Sequence, residues 1–378
     1  MSCPCWILPG GIVDQILKDN ASKKSFSSCF VEDKPIWLQL EEELFDSGIQ
    51  LPLFHRWAWA ECGHKGRNHL VAVRDGNGRL VGAAGVRVDS SRVLPGHRFL
   101  RVYRFGDALP ETGWEPLIAA LKNRAVADAG VLRLSVGVFS HDRRSEIASV
   151  LERHGFQKLA LPHSYRHTLT LDLRPSEEEV LAGLHKTARK NLREAEKAQL
   201  CVRPLTEAIY ADRIDSLQRE AMSRTGGHAE ALEAAAVLEL SRLHPHLSRV
   251  VGLFLSANDL RPDSLVGFAW GCMHGDHGEY RAAGTMRLPD RNIAISYPLL
   301  WELIVWARRE GATWFDLGGV TVADSATDPL GGISNFKRYF SRNVEEVGEE
   351  WILEPHPARA RLASLFGRIA RNITSLRG

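Results

Sequence analysis

Four cations recur along one stretch of the 378-residue chain, Lys186, Lys190, Arg193 and Lys197, at steps of four, three and four. On a helix that spacing stacks them on one face, while Leu181, Leu184, Ala188 and Ala195 fall on another. Such a face grips phosphates, whether of a nucleic acid or of a pyrophosphate-bearing small molecule. It equally describes a solvated helix whose Glu194 and Glu196 balance the charge. A second cluster, Cys272, His274, Asp276 and His277, has the residue types of a metal site. Alternation along a strand would put Cys272 and His274 on one face and leave the others in the turn around Gly275 and Gly278, so no metal is expected. His244-Pro245-His246 reads as a loop.

The elements that must position such groups occur twice. Arg79-Leu80-Val81-Gly82-Ala83-Ala84-Gly85 is answered by Ser264-Leu265-Val266-Gly267-Phe268-Ala269-Trp270. At nearly the same separation, the helical stretch from Pro116 to Gly130 with its apolar run Val131 to Val138 is answered by Pro298 to Gly311 and then Ala312 to Val320. Two unrelated segments keeping one offset imply a duplicated globular unit, too long for a solenoid repeat. In the first copy Leu70–Val73 is a strand, Asp75-Gly76-Asn77-Gly78 a hairpin turn and Leu80–Val88 its partner, because Gly and Asn tolerate positive φ. Phe99–Phe105 is a third strand, residues 113–129 a helix closed by Gly130, Leu132–Val138 a buried strand, and 143–154 a helix. Residues 1–35 give little. In the second copy His167–Leu173 alternates as a half-buried strand, and Ser176 before Glu177, Glu178 and Glu179 starts a helix. Val250–Leu255, Leu265–His274 and Glu279–Met286 form a strand meander, then come a helix over 297–309 and the strand Trp314–Leu317. Antiparallel strands, a helix and a strand, twice over, resemble the order of the GNAT acyltransferase fold: an α+β chain of two tandem GNAT-like domains, each a mixed, mostly antiparallel sheet flanked by helices.

Composition narrows the partners. Charged residues at 25% and hydrophobic ones at 44% are ordinary, and 378 residues suit two cores. The net charge of +2 requires any polyanion to be met by a local basic patch. No apolar run is long enough to span a bilayer, and Met1-Ser2-Cys3-Pro4-Cys5 lacks the basic stretch and apolar core of a leader, which points to the cytoplasm. Cys29, Cys62, Cys201 and Cys272 have no pairing rhythm and should be reduced thiols, while Cys3 and Cys5 are too close for a comfortable bridge. The basic amphipathic tail from Ala358 to Leu376, with Leu362, Leu365, Phe366, Ile369 and Ile373 at helical spacing, packs back on the first domain or lies peripherally on a membrane or RNA.

Three stretches carry a more specific resemblance: Leu184 to Ala195, Leu299-Leu300-Trp301-Glu302-Leu303-Ile304, and Phe315-Asp316-Leu317-Gly318-Gly319 followed by Gly332-Ile333-Ser334-Asn335-Phe336-Lys337-Arg338-Tyr339-Phe340. Together they resemble the FemABX transferases, which move an amino acid from aminoacyl-tRNA onto an amine, in the best-known cases on a peptidoglycan precursor. The Phe-Lys pair after a long glycine-bearing loop is the specific part. The resemblance implies domains over 1–165 and 166–340, the first on the acceptor side and the second on the donor side, with 341–378 returning to complete the first.

It also implies roles. An ester is already activated and a neutral amine is a competent nucleophile, so orientation and oxyanion stabilisation suffice, with no metal, cofactor or covalent intermediate. By resemblance Lys337 supplies that stabilisation, Phe336 sets its rotamer, and Gly331 and Gly332 let backbone approach the donor. The bland alternative makes Lys337 and Arg338 solvated charges at a loop end. Lys186, Arg189, Lys190, Arg193 and Arg338 form the phosphate-binding set, and Arg224 stands where relatives meet the acceptor's phosphates. Asp107, in Arg104-Phe105-Gly106-Asp107, orients the acceptor amine or takes its proton, or else caps a helix before Leu109-Pro110.

Two departures qualify this picture. Trp57-Ala58-Trp59-Ala60-Glu61-Cys62 lacks the lysine that relatives acting on nucleotide-linked cell-wall precursors carry there, so the acceptor is such a precursor or another small-molecule amine. Arg291-Asn292-Ile293-Ala294-Ile295-Ser296 lacks the glycines of a CoA-pyrophosphate loop, which favours an aminoacyl-tRNA donor over the alternative, a CoA-dependent N-acyltransferase.

Overall fold

The computed structural model describes residues 15–18, 25–62, 67–91, 94–106, 109–140, 142–225, 232–288, 293–321, 331–363 and 365. Asp107, Arg291, Asn292, Cys3, Cys5 and the tail from 366 onward lie outside them. The chain divides into two compact units, the first drawing on segments up to Ser164 and again from Gly348, the second on Tyr165–Val347 together with Glu61 and Cys62.

In the first unit the order is β1 (Gln15–Lys18), β2 (Ser25–Val31), α1 (Lys34–Asp46), α2 (Trp57–Glu61), β3 (Arg67–Arg74), β4 (Leu80–Ser90), β5 (Arg98–Phe105), α3 (Glu111–Ala127), β6 (Val131–Phe139), α4 (Arg144–Arg153) and β7 (Gln157–Lys158). The hairpin between β3 and β4 closes where expected, because Asp75 Oδ1 accepts from the Asn77 and Arg79 amides at 2.9 and 3.0 Å. β2, in a stretch that gives little in the sequence, adds antiparallel to β3. β5 and β6 run parallel, joined by α3, whose Leu117, Ile118 and Leu121 are buried with Leu70, Trp37 and Leu44 in one core. Removing this apolar surface from water is the main force holding helix to sheet.

The second unit continues with β8 (His167–Asp172), α5 (Glu177–Gly183), α6 (Lys186–Lys197), β9 (Cys201–Pro204), α7 (Ala211–Thr225), α8 (Ala234–Leu243), β10 (Ser248–Phe254), β11 (Leu265–Met273), β12 (His277–Thr285), α9 (Ser296–Arg309), β13 (Trp314–Gly319), α10 (Gly331–Arg338) and β14 (Asn343–Glu346). Among the described residues its sheet has seven strands in the order β14-β8-β13-β12-β11-β10-β9. Ser176 caps α5 in a full capping box with Glu179. Every residue of β11 is buried, and at Gly271 a Cβ would come within 3.2 Å of Leu303 and Trp306, so glycine is what lets α9 lie close. β8 departs from the expected half-buried alternation: Thr168, Leu169 and Thr170 are all buried, the two threonines donating to Asp316 and Glu345 on the neighbouring strands β13 and β14.

β14 belongs to the second sheet, pairing with β8, so the chain does not leave this unit at 341. It crosses back after Val347 into β15 (Gly348–Leu353), which inserts between β6 and β7 to complete a sheet that has, among the described residues, eight strands in the order β1-β2-β3-β4-β5-β6-β15-β7.

Candidate active site

β12 and β13 pair in parallel over three positions, His277 with Trp314, Gly278 with Phe315 and Glu279 with Asp316. Beyond Glu279 and Asp316 that pairing ends, and the ladder of β13 with β8 also slips between Asp316 and Gly319. Gly318 turns the strand there with φ of +74°; a Cβ on it would sit 2.9 Å from the Tyr280 carbonyl and 3.3 Å from Lys337 Nζ.

Lys337 comes to this point from α10. Its side chain is buried, 7% exposed, and Nζ donates to the Gly319 carbonyl at 2.8 Å. The Tyr280 ring lies 5.8 Å away. Lys337 is therefore no solvated loop-end charge. Burial pushes its ammonium down to about 8, against the opposing pull of Asp316 and Glu279. Phe336, one residue earlier, packs edge-on against Tyr297 at 5.0 Å and Phe340 at 5.5 Å, which fixes the helix that carries Lys337. Gly331 and Gly332 form the first turn of that helix. Arg338 donates to the Thr321 carbonyl and to Asn335 Oδ1, and Ser334 Oγ accepts from the Thr321 amide, so α10 is tied to the end of β13.

A largely buried polar network lies next to Lys337, and composition alone does not expose it. Tyr165 donates to Asp316 at 2.6 Å and lies 3.1 Å from Glu279. Asp316 also accepts from Thr168 Oγ1 and, at 2.8 Å, from the Gly318 amide. Glu279 accepts from His274 Nε2 at 2.8 Å. His274 thus serves a carboxylate, while His277 bonds Asp276 and stacks on Trp314 at 4.0 Å. Asp316 lies within the Phe315-Asp316-Leu317-Gly318-Gly319 stretch, whose charge among apolar residues is the signal that could have found it; Glu279, Tyr165 and Thr168 carry no such signal.

The phosphate candidates separate into two groups. Lys186, Lys190 and Arg193 project from the exposed face of α6, with Lys190 3.6 Å from Glu194, while Ala188 and Ala195 face inward as the pattern requires. Arg189 instead folds back to the Ala182 carbonyl. The start of α6 abuts the end of α10: the His185 amide donates to the Tyr339 carbonyl at 3.0 Å and the two rings stack at 5.1 Å. Arg224 is exposed at the end of α7 and donates to the Thr285 carbonyl.

In the first unit the segment before Asp107 is described. Arg104 has φ of +48° where the β5·β6 register slips, and its guanidinium lies 3.6 Å over the Phe139 ring. His55, fully buried, donates through Nε2 to the Tyr103 carbonyl, and burial pushes its imidazole down to about 4.

Comparison with known proteins places this geometry in a fold. Neither models of protein families nor curated protein sequences match the chain. Among solved structures, that of FemX superposes with a TM-score of 0.66 at 15% identity, covering 86% of this chain and 97% of that one. The C-terminal domain of a putative lysylphosphatidylglycerol synthetase from Agrobacterium fabrum gives 0.50 at 14% identity, covering 88% and 96%. L-PGS from Bacillus licheniformis gives 0.50 at 12%, covering 89% and 98%. The chain has the fold of the FemX structure, α+β with two GNAT-like domains. Among the described residues no helix is long and apolar enough to cross a membrane.

Proposed function

We propose that this protein is an N-aminoacyltransferase that moves an amino acid from aminoacyl-tRNA to an amine, forming an amide bond. Its acceptor is a small molecule or a cell-wall precursor, and the reaction takes place in the cytoplasm. The observation that carries this reading is the placement of Lys337 where the β12·β13 pairing ends. Its ammonium gives one N–H to Gly319 and, among the described residues, keeps two donors for an oxygen of the reacting ester. A fixed cation of this kind stabilises the oxyanion that develops as the amine attacks. The donor ester occupies the second unit. The exposed cations Lys186, Lys190 and Arg193 on α6, beside the end of α10, supply a grip for the tRNA backbone.

The discriminating experiment supplies three donors, total charged tRNA, the same tRNA after RNase, and acyl-CoA, together with a mixture of amines. Consumption of the aminoacyl ester only with intact tRNA is expected. Consumption of acyl-CoA, or a micromolar dissociation constant for CoA by calorimetry where about millimolar or weaker is expected, overturns the reading in favour of a CoA-dependent enzyme.

A further inference from the structure

Two buried carboxylates stand on the strands that meet Lys337: Asp316 accepts from the Gly318 amide, and a Cβ on Gly318 would lie 3.3 Å from Nζ, while Glu279 precedes Tyr280, whose ring lies 5.8 Å from Nζ; neither carboxylate is its hydrogen-bond partner. Asp316, fully buried, is held by Tyr165, Thr168 and the Gly318 amide; Glu279, 1% exposed, is held by His274 and Tyr165, with Arg281 at 3.6 Å. The ammonium turns to a neutral acceptor, the Gly319 carbonyl. This differs from a buried salt bridge, in which the group that supplies the countercharge also takes one or two of the three N–H donors.

We infer that Asp316 and Glu279 are positioning residues that act as counter-ions held off the N–H donors of Lys337, so that the ammonium keeps its charge and also keeps donors for a substrate oxygen. The physical need is plain. A lysine this deeply buried, with only a carbonyl and the face of Tyr280 near it, sheds its proton toward neutral pH. Direct pairing with a carboxylate would prevent that but, beside the bond to Gly319, would take one or both of the two remaining donors. Anchoring each carboxylate to other groups supplies the field and leaves the donors open. Both carboxylates favour the charged lysine, as their sign requires. The titratable groups around Lys337 are Glu279 and Tyr280 on β12 and Asp316 on β13, together with the groups that contact those carboxylates, Arg281 and His274 at Glu279 and Tyr165, ahead of β8, at Asp316 and Glu279. The inference rests on the proposed acyl transfer only for what the ammonium meets. It adds that Lys337 works as a cation and not as a base.

The test uses the full chain with Asp316→Asn and, since Asp316 anchors Tyr165, Thr168 and the Gly318 amide and its variant is at risk of misfolding, Glu279→Gln as well. ¹⁵N-lysine NMR follows the titration of Lys337 Nζ, assigned by its loss in Lys337→Met. In either folded variant the midpoint should fall by about one pH unit or more, the effect of removing a nearby opposite charge. An unchanged or higher midpoint overturns the inference. With charged tRNA and an amine acceptor, the alkaline limb of the rate profile should move down with it, lowering the rate at pH 8 by roughly fivefold for a midpoint change of one unit. A lowered midpoint with an undiminished rate also overturns it, because a base would gain from losing its proton. The titration needs no substrate, so its outcome is separable from a failure of the donor assignment.

Discussion

The Lys337 ammonium meets the Gly319 carbonyl at 2.8 Å, joining the helix after the 322–330 segment to the last residue of β13 before it. A single hydrogen bond thus fixes the cation at the place where the two parallel strands stop pairing. Removing the charge while keeping the volume should leave the fold and remove the chemistry. Lys337→Met is expected to lower turnover by roughly 10²-fold or more, the loss typical of removing an oxyanion donor. Steady-state kinetics, with circular dichroism as the control for folding, checks it; an unchanged rate returns Lys337 to a structural role.

The same residue makes stability depend on alkaline pH. Lys337 sheds its proton at about 8 when folded, below the ordinary 10.5 of an unfolded lysine. Between these values the unfolded chain binds more protons, so the contribution of Lys337 to stability rises with pH across that window. Below about 8 both states are protonated and the full cost of the buried charge is present. Urea denaturation from about pH 7 to about pH 11 should show a rise in the parent that is missing in Lys337→Met.

His55 should reveal itself at the acid end. Its folded value of about 4 lies below the ordinary 6.5, so stability falls as pH drops from about 6.5 toward 4, by at most about 1.4 kcal/mol per pH unit. His55→Gln, which keeps a donor for the Tyr103 carbonyl, should flatten that slope. Equal slopes for parent and variant would show that the imidazole titrates normally.

The exposed face of α6 is tested by salt. Replacing Lys186, Lys190 and Arg193 with Gln should weaken tRNA binding and reduce the dependence of log affinity on log salt, by about 0.7 to 0.9 for each phosphate no longer neutralised. Fluorescence titrations at several salt concentrations measure the slope, and identical slopes dispose of the tRNA role for this face.

What could be read in advance divides along physical lines. The duplicated order, the Asp75 turn and the Ser176 cap are local, and each appears where its residues point. β2 escaped notice because Ser25, Ser27 and Ser28 blur its alternation, and its place comes from pairing with β3. Lys337 and Phe336 stood out through a motif. Tyr165, Thr168, Glu279 and Asp316 meet only because β8, β13 and β12 are neighbours in the sheet, a relationship that no local spacing expresses. The role of His274 was hidden for the same reason, its partner Glu279 being reached across the turn into the next strand.

The insertion of β15 between β6 and β7 sets a timetable. A ribosome makes the first unit's six leading strands early, yet the strand that joins β6 to β7 emerges only after the whole second unit has been synthesised. Until then the edge of β6 is unpaired, and an uncovered strand edge is a template for association with other chains. The unit begun first is finished last, so the second can fold on the ribosome while the first waits for residues 348–353.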